Sequence, residues 1–169
     1  MTPAITDSPA FTQFHVAISL IAIFLGIAVM YGLLTAKKLE GVTLLFLVTT
    51  VATSVTGFFF HRDHVLPSHI VGIISLVLLG AAIVALYGFH LRGVWRMVYV
   101  IGAVASLYLN VFVLIVQSFL KVPFLHTLAP TQTEPAFLAV QGLALLVFLA
   151  IGVLSFVRFR SLATASSGF

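Results

Sequence analysis

The chain has 169 residues, of which 62% are hydrophobic and only 7% are charged, and its mean hydropathy is +1.24. This composition excludes a soluble domain, which must cover its core with polar side chains, and it indicates a membrane protein. The formal charge is +4, but the eight Lys and Arg residues stand singly or in pairs, which excludes a nucleic-acid interface, and the lack of cysteine excludes disulfides and thiolate metal sites.

Five apolar stretches are long enough to cross a bilayer core of about 30 Å, which requires roughly 20 residues in a helix. None of them alternates apolar and polar residues as a membrane-spanning strand does. The sequence therefore predicts an all-α, polytopic membrane protein that forms a single domain of five transmembrane helices. The predicted spans are 11–35, 42–60, 67–87, 98–120 and 135–157.

The orientation follows from the positions of the basic residues, because Lys and Arg concentrate on the cytoplasmic side of a membrane protein. Six lie on one side of the predicted spans and two on the other, which predicts an N-terminus outside and a C-terminus in the cytoplasm. The N-terminal segment lacks a basic region, so we expect an uncleaved anchor. The larger group comprises Lys37, Lys38, Arg92, Arg96, Arg158 and Arg160, and the smaller one Arg62 and Lys121.

The loop FFFHRDHVLPSHI between spans two and three contains three of the six histidines. With the predicted orientation, five histidines share the outer side, and only His90 lies near the cytoplasmic face. These five are His15, His61, His64, His69 and His126. Histidine is inexpensive at headgroup depth, so an interfacial position without any ligand is the alternative for most of them. Tyr87, Trp95 and Tyr99 are predicted to be interface anchors.

Polar residues inside the predicted spans are concentrated in the same outer half of the bundle. Because an unpaired polar group in hydrocarbon costs several kcal/mol, we expect these residues to face one another and to form a polar pocket. The alternative is that hydroxyls bond within their own helices and that amides hold neighbouring helices together. The residues form stripes at helical spacing: His15, Ser19, Ala22 and Gly26; Thr49, Thr53 and Thr56; Ser106, Asn110 and Gln117; and Glu134 with Gln141.

His15 and His69 lie about one turn inside helices that run in the same direction, so their side chains reach similar depths. Two such imidazoles could bind a b-type haem, or a divalent transition metal with a further ligand. That ligand, or a group that orients an imidazole, would be His61, His64, Asp63, Glu134 or Gln141. No nucleophile motif appears, so the catalytic residues are unknown and a histidine proton relay is the remaining catalytic option.

The segments LPSHIVGIISLVLL, YLNVFVLIVQSFLKVP and LAPTQTEPAF resemble a group of small bacterial inner-membrane proteins. The resemblance extends from about His15 to Gly152, and it implies an inner-membrane location but no activity. In that group a proline tends to replace His61, and His64 varies. The resemblance therefore favours His15, His69, Asn110, Gln117 and Gln141 as the residues that bind a cofactor.

Three functions remain open at this point. We expect a binding protein with a histidine-containing pocket on the periplasmic side for haem, a transition metal or a lipophilic molecule such as a quinone. A non-catalytic subunit that packs against a membrane complex or a second copy of the chain is the second. A small transporter is the third, although the cytoplasmic halves of the spans offer few polar residues for a path.

Overall fold

The computed structural model describes residues 8–37, 39–60 and 67–165, and in these ranges the chain is helical, with no strand. Five long helices and one short helix follow one another. They are α1 (Pro9–Leu34), α2 (Glu40–Gly57), α3 (Pro67–Ile83), α4 (Trp95–Lys121), α5 (Pro123–Leu128) and α6 (Pro135–Ala165), and a π-helical turn, Val84–Gly88, continues α3. The five long helices are apolar enough to cross a membrane, so the protein is a multi-pass membrane protein.

The five predicted spans are confirmed, but their ends differ from the prediction. The second helix ends at Gly57 rather than residue 60, the fourth begins at Trp95 rather than residue 98, and the last continues to Ala165. The short helix α5 was not predicted. Hydropathy marks only the apolar part of a helix, and backbone hydrogen bonding continues into the interface wherever no proline or cap stops it.

Local sequence explains both ends of α1. The Ser8 hydroxyl accepts a hydrogen bond from the Phe11 backbone N–H (3.2 Å), and a proline follows in the first turn, where its missing N–H is harmless. At the other end the Lys37 N–H donates to the Gly32 carbonyl oxygen (2.8 Å), and Ala36 has a φ of 57°. This is the left-handed helix end usually provided by glycine, and it turns Lys37 back toward the bundle.

The fourth helix lies at the centre of the bundle. Helices α1, α3 and α6 pack on α4, and α2 bridges α1 and α3. Small residues allow the closest approaches, because a Cβ atom on Gly102 would lie 2.8 Å from the Leu78 carbonyl oxygen, and one on Gly26 would lie 2.5 Å from a Leu107 methyl. Phe46, Leu79 and Leu107 are fully buried in this core.

The two ends of the bundle differ in their polar residues. We call one the basic end, which carries Lys37, Arg92, Arg96 and Arg158, and the other the histidine end, which carries His15, His69 and His126. Between them the outer faces are apolar and exposed, as for Phe24 (70% exposed) and Val77 (67% exposed). Lipid is the natural environment of such faces, because their side chains are apolar and a helix bonds its backbone polar groups internally.

Candidate functional site

At the histidine end, His15 joins α1 to α2. Its Nδ1 atom lies 2.7 Å from the Thr56 hydroxyl, and its ring meets that of Phe60 edge to face with the centroids 5.0 Å apart. The Thr56 hydroxyl also donates to the Ala52 carbonyl oxygen at 2.7 Å. Because a hydroxyl has one proton, a Thr56 hydroxyl that donates to Ala52 accepts from Nδ1 of His15, and we assign this tautomer, with the lone pair on Nε2.

His69 stands at the start of α3 and stacks on Phe58, with ring centroids 5.8 Å apart and planes inclined by 16°. Gly72 makes room for this phenyl ring, because a Cβ atom there would lie 3.0 Å from the Phe58 Cζ atom. The two histidines thus contact two different aromatic side chains of the segment that follows α2. Whether they share a haem or a metal stays a prediction.

The predicted amide residues lie on α4 and α6. Gln141 is 8% exposed and donates from Nε2 to the Phe112 carbonyl oxygen (3.2 Å), which ties α6 to α4. In the described part of the chain, Gln141 Oε1 and Asn110 Nδ2 are enclosed without a hydrogen-bond partner. Gln117 is half-buried on α4. The contact of Gln141 is the interhelical role that the sequence left open for it.

Glu134 stabilises the loop that precedes α6. Its carboxylate accepts hydrogen bonds from the Thr131 N–H (3.1 Å), the Thr131 hydroxyl (2.8 Å) and the Thr133 N–H (3.0 Å). Desolvation works to raise the pKa of Glu134, but these donors outweigh it and hold the pKa below its usual value. Gln132 fastens the same loop to α4 by donating from Nε2 to the Val116 carbonyl oxygen at 2.9 Å.

The remaining predicted ligands, His61, Asp63 and His64, lie outside the described residues. Within ranges 8–37, 39–60 and 67–165, no three His, Asp or Glu side chains come together in a way that could hold a metal ion. A metal site with three such ligands would therefore need residues outside these ranges, and the prediction of one remains a prediction.

The threonine that faces inward in the middle of α2 is Thr50 rather than the predicted Thr49. Thr49 and Thr56 donate to the carbonyl oxygens of Leu45 and Ala52 in their own helix, whereas Thr50 is fully buried. In the same half of the bundle the Ser54 hydroxyl donates to that of Ser75 (3.2 Å) and links α2 to α3. Of the three predicted threonines, Thr49 bonds only within its own helix, Thr53 is buried, and Thr56 bonds both to its own helix and to His15.

The structure opens a cavity of about 290 Å³ at the basic end, opposite to the predicted pocket. Its floor is polar at one point, where the neighbouring side chains of Tyr99 and Thr43 both line it; the two residues are 4% and 6% exposed. The prediction that Tyr99 anchors the membrane interface is therefore wrong. Apolar side chains surround this hydroxyl pair, namely Val29, Leu33, Leu86, Leu91 and Phe159.

The mouth of the cavity is charged and accessible. Lys37 follows the end of α1, Glu40 begins α2, Tyr87 lies in the π-helical turn, and His90 follows that turn. All four side chains are exposed. Among the described residues of the mouth one ammonium and one carboxylate offset each other, and together they offer both hydrogen-bond donors and an acceptor.

Irregular backbone builds one wall of this cavity. In the π-helical turn the Phe89 N–H donates to the Val84 carbonyl oxygen (3.0 Å), and the Leu91 N–H then donates to that of Ala85 (3.0 Å). His90 and Leu91 follow with φ of 51° and 59°, a left-handed conformation that costs a residue with a side chain about 1 kcal/mol or more. Strain and π-helical turns concentrate at functional sites, which distinguishes this wall from the regular helices around it.

The sequence did not point to this cavity. Its signal was weak: Thr43 and Tyr99 each lie about one turn inside a helix that begins at the basic end. Two hydroxyls at equal depth become a pair only when their helices are neighbours, and periodicity does not give that information. His90, which the sequence assigned to a cytoplasmic loop, lies at the mouth.

Comparison of the chain with protein-family models, with curated proteins and with solved structures finds no match. The fold and the cavity define the class, a five-helix membrane protein with an amphiphilic cavity at one end. Function has to be inferred from the chemistry of that cavity.

Proposed function

We propose that this protein binds a lipophilic small molecule from the bilayer in the cavity at its basic end. The proposal rests on the cavity itself, which joins an apolar wall to a buried hydroxyl pair and a polar mouth. Small-molecule sites are typically concave, mostly apolar and supplied with a few well-placed polar groups, and they begin at roughly 300 Å³. A volume of about 290 Å³ suits the head of such a molecule rather than a whole lipid.

We further propose that the basic end faces the cytoplasm of a bacterial inner membrane and that the N-terminus lies outside. The excess of six basic residues over two supports this orientation. The cavity then opens at the cytoplasmic interface, where a molecule moving within the membrane reaches it laterally. The histidine end faces the periplasm, and the earlier hypothesis of a periplasmic haem or metal site remains separate from this proposal.

Photolabelling tests the binding of a lipophilic molecule. An apolar aryl diazirine is added to the protein in mild detergent, and labelled residues are mapped by mass spectrometry at increasing probe concentration. We expect labelling of Leu33, on the cavity wall, to saturate, because the site has a fixed number of places. Labelling of Phe24, which faces outward, should rise in proportion to the probe.

Two substitutions that fill the cavity from different helices sharpen this test. Val29→Phe and Leu86→Phe should each abolish saturable labelling of Leu33. Val84→Phe is the matched control, because Val84 is exposed on the last turns of the same helix segment as Leu86 and does not line the cavity. The proposal fails if labelling of Leu33 rises linearly in the wild type, or if it saturates equally in all variants.

A further inference from the structure

The chemistry of the cavity also limits which molecule it accepts. We infer, building on the proposed function, that the ligand carries a neutral ring with carbonyl or hydroxyl oxygens, as quinones and quinols do, and not an anionic lipid headgroup. The two classes make different demands. A phosphate needs an excess of cationic groups, whereas a ring with polar oxygens needs apolar walls and separate donors and acceptors.

The charges of the described residues at the mouth disfavour a phosphate. Lys37 would attract an anion, but the carboxylate of Glu40 lines the same cavity and would repel it. Basic sites for anionic lipids contain several Lys or Arg residues without an opposing acid. Arg92, Arg96 and Arg158 belong to the basic end but do not line the cavity.

The floor favours a neutral oxygen. Tyr99 and Thr43 are almost completely buried, both line the cavity, and each hydroxyl has one proton that it can donate. Either hydroxyl can therefore donate to a carbonyl oxygen that reaches the floor. An oxygen on the opposite side of a ring would lie toward the mouth, where Lys37 donates and Glu40 accepts, so both the carbonyl and the hydroxyl form of a ring have partners.

The walls suit a flat ring. Leu33, Leu86 and Phe159 enclose the space between the floor and the mouth with apolar surface. A benzoquinone ring buries two apolar faces and presents its oxygens only in its own plane. This arrangement matches a cavity whose polar groups lie at its two ends and whose sides are apolar.

A fluorescence titration tests the class of ligand. Trp95 is the sole tryptophan of the chain, and it stacks on Phe89 at a centroid distance of 3.8 Å, next to the residues of the irregular wall. Quinones quench tryptophan emission. We expect a decyl-substituted benzoquinone to quench Trp95 saturably in detergent, with an affinity that is the same at 50 and 500 mM salt because no net charge is involved.

Variants of the floor and the mouth identify the groups that hold the ring. Tyr99→Phe and Thr43→Val should each weaken quinone binding about three- to tenfold, the usual effect of one hydrogen bond. Leu86→Phe fills the cavity, so the quenching of this variant measures unspecific quenching and is subtracted from that of the other proteins. Tyr99→Phe retains nearly the whole side-chain volume, so it remains informative if Thr43→Val does not fold.

Didecanoyl phosphatidylglycerol is the competing probe. We expect that it fails to displace the quinone at equal concentration. If instead it shifts Trp95 emission saturably, if high salt and Lys37→Gln remove that shift, and if the quinone quenches only unspecifically, the ligand class inferred here is wrong while a lipophilic site remains. If neither probe gives a saturable signal and Leu33 labelling is also linear, the proposed function fails as well.

Discussion

The imidazole of His15 and the hydroxyl of Thr56 are hydrogen-bonded at 2.7 Å and connect the first helix to the end of the second. The threonine hydroxyl donates in turn to the Ala52 carbonyl oxygen, so the two bonds form a short chain that fixes the tautomer of the ring. One of the two histidines that the sequence favoured as ligands, His15, is thus oriented by a second residue. Its Nε2 atom is the one that a metal or haem iron would use.

Removing the hydroxyl of Thr56 should loosen this helix pair. For Thr56→Val we expect a loss of about 1 kcal/mol in the free energy of unfolding, the scale of an interhelical hydrogen bond in a membrane protein. Detergent unfolding of the purified protein measures it. Thr49→Val is the matched control, because the Thr49 hydroxyl donates only to the Leu45 and Phe46 carbonyl oxygens of its own helix, and it should have a much smaller effect.

The tautomer provides a second readout of the same bond. In the wild type, nitrogen NMR should find the proton of neutral His15 on Nδ1, and in Thr56→Val the ring should populate the Nε2–H form. Equal stability losses for the two valine variants, together with an unchanged tautomer, would contradict the hydrogen bond described above.

The contact between α3 and α4 should not tolerate a methyl group at Gly102. A Cβ atom there would lie 2.8 Å from the Leu78 carbonyl oxygen, and a backbone atom cannot rotate away as a side chain can. We expect Gly102→Ala to lower the free energy of unfolding by about 1 to 3 kcal/mol. Gly80→Ala on α3 is the control, because nothing lies within 4 Å of a Cβ atom at Gly80, and it should be neutral or slightly stabilising. Similar losses for both would disprove the steric account.

The left-handed backbone at His90 predicts that glycine is preferred there. His90→Gly should be more stable than His90→Ala by about 1 kcal/mol, because both remove the imidazole but only glycine adopts a φ of 51° without strain. Comparing the two variants separates the backbone from the side chain. If alanine proves as stable as glycine, the wall of the cavity does not hold the strain inferred here.

The stability of the loop before α6 should depend on pH because of Glu134. Hydrogen bonds from Thr131 and Thr133 hold the pKa of Glu134 below its usual value despite an opposing desolvation effect, so the folded protein favours the charged form. The resulting stabilisation is complete above the unfolded pKa of about 4.3 and is lost as the pH falls through the lower folded value.

Stability profiles of wild type and Glu134→Gln between pH 7 and pH 3 measure this contribution. The wild type should lose its advantage over the glutamine variant across the acidic end of that range. A constant difference at every pH would show that the carboxylate charge is not what the loop uses.

The amino-acid sequence determined the number of helices and their approximate limits. Hydropathy over about 20 residues is a local property. Whether a segment crosses a membrane depends mainly on its own hydropathy and not on which helices pack beside it. Proline in the first turns of α3 and α6 fixed those starts for the same local reason. The sequence also identified polar residues such as Gln141 that face inward, because lipid does not tolerate them.

Only the tertiary structure decided which side chains meet. Thr50 rather than Thr49 enters the core because the rotation of α2 is set by its contacts with α1 and α3, and the periodicity of a threonine-rich segment fits either choice. The cavity arises from parts of four helices and an irregular turn, which extend from Val29 to Phe159 in the sequence. Thr43 and Tyr99 line one cavity because packing placed the beginnings of two helices side by side. The distance between two helices depends on contacts across the whole bundle, so the properties of neighbouring residues in the sequence do not predict it.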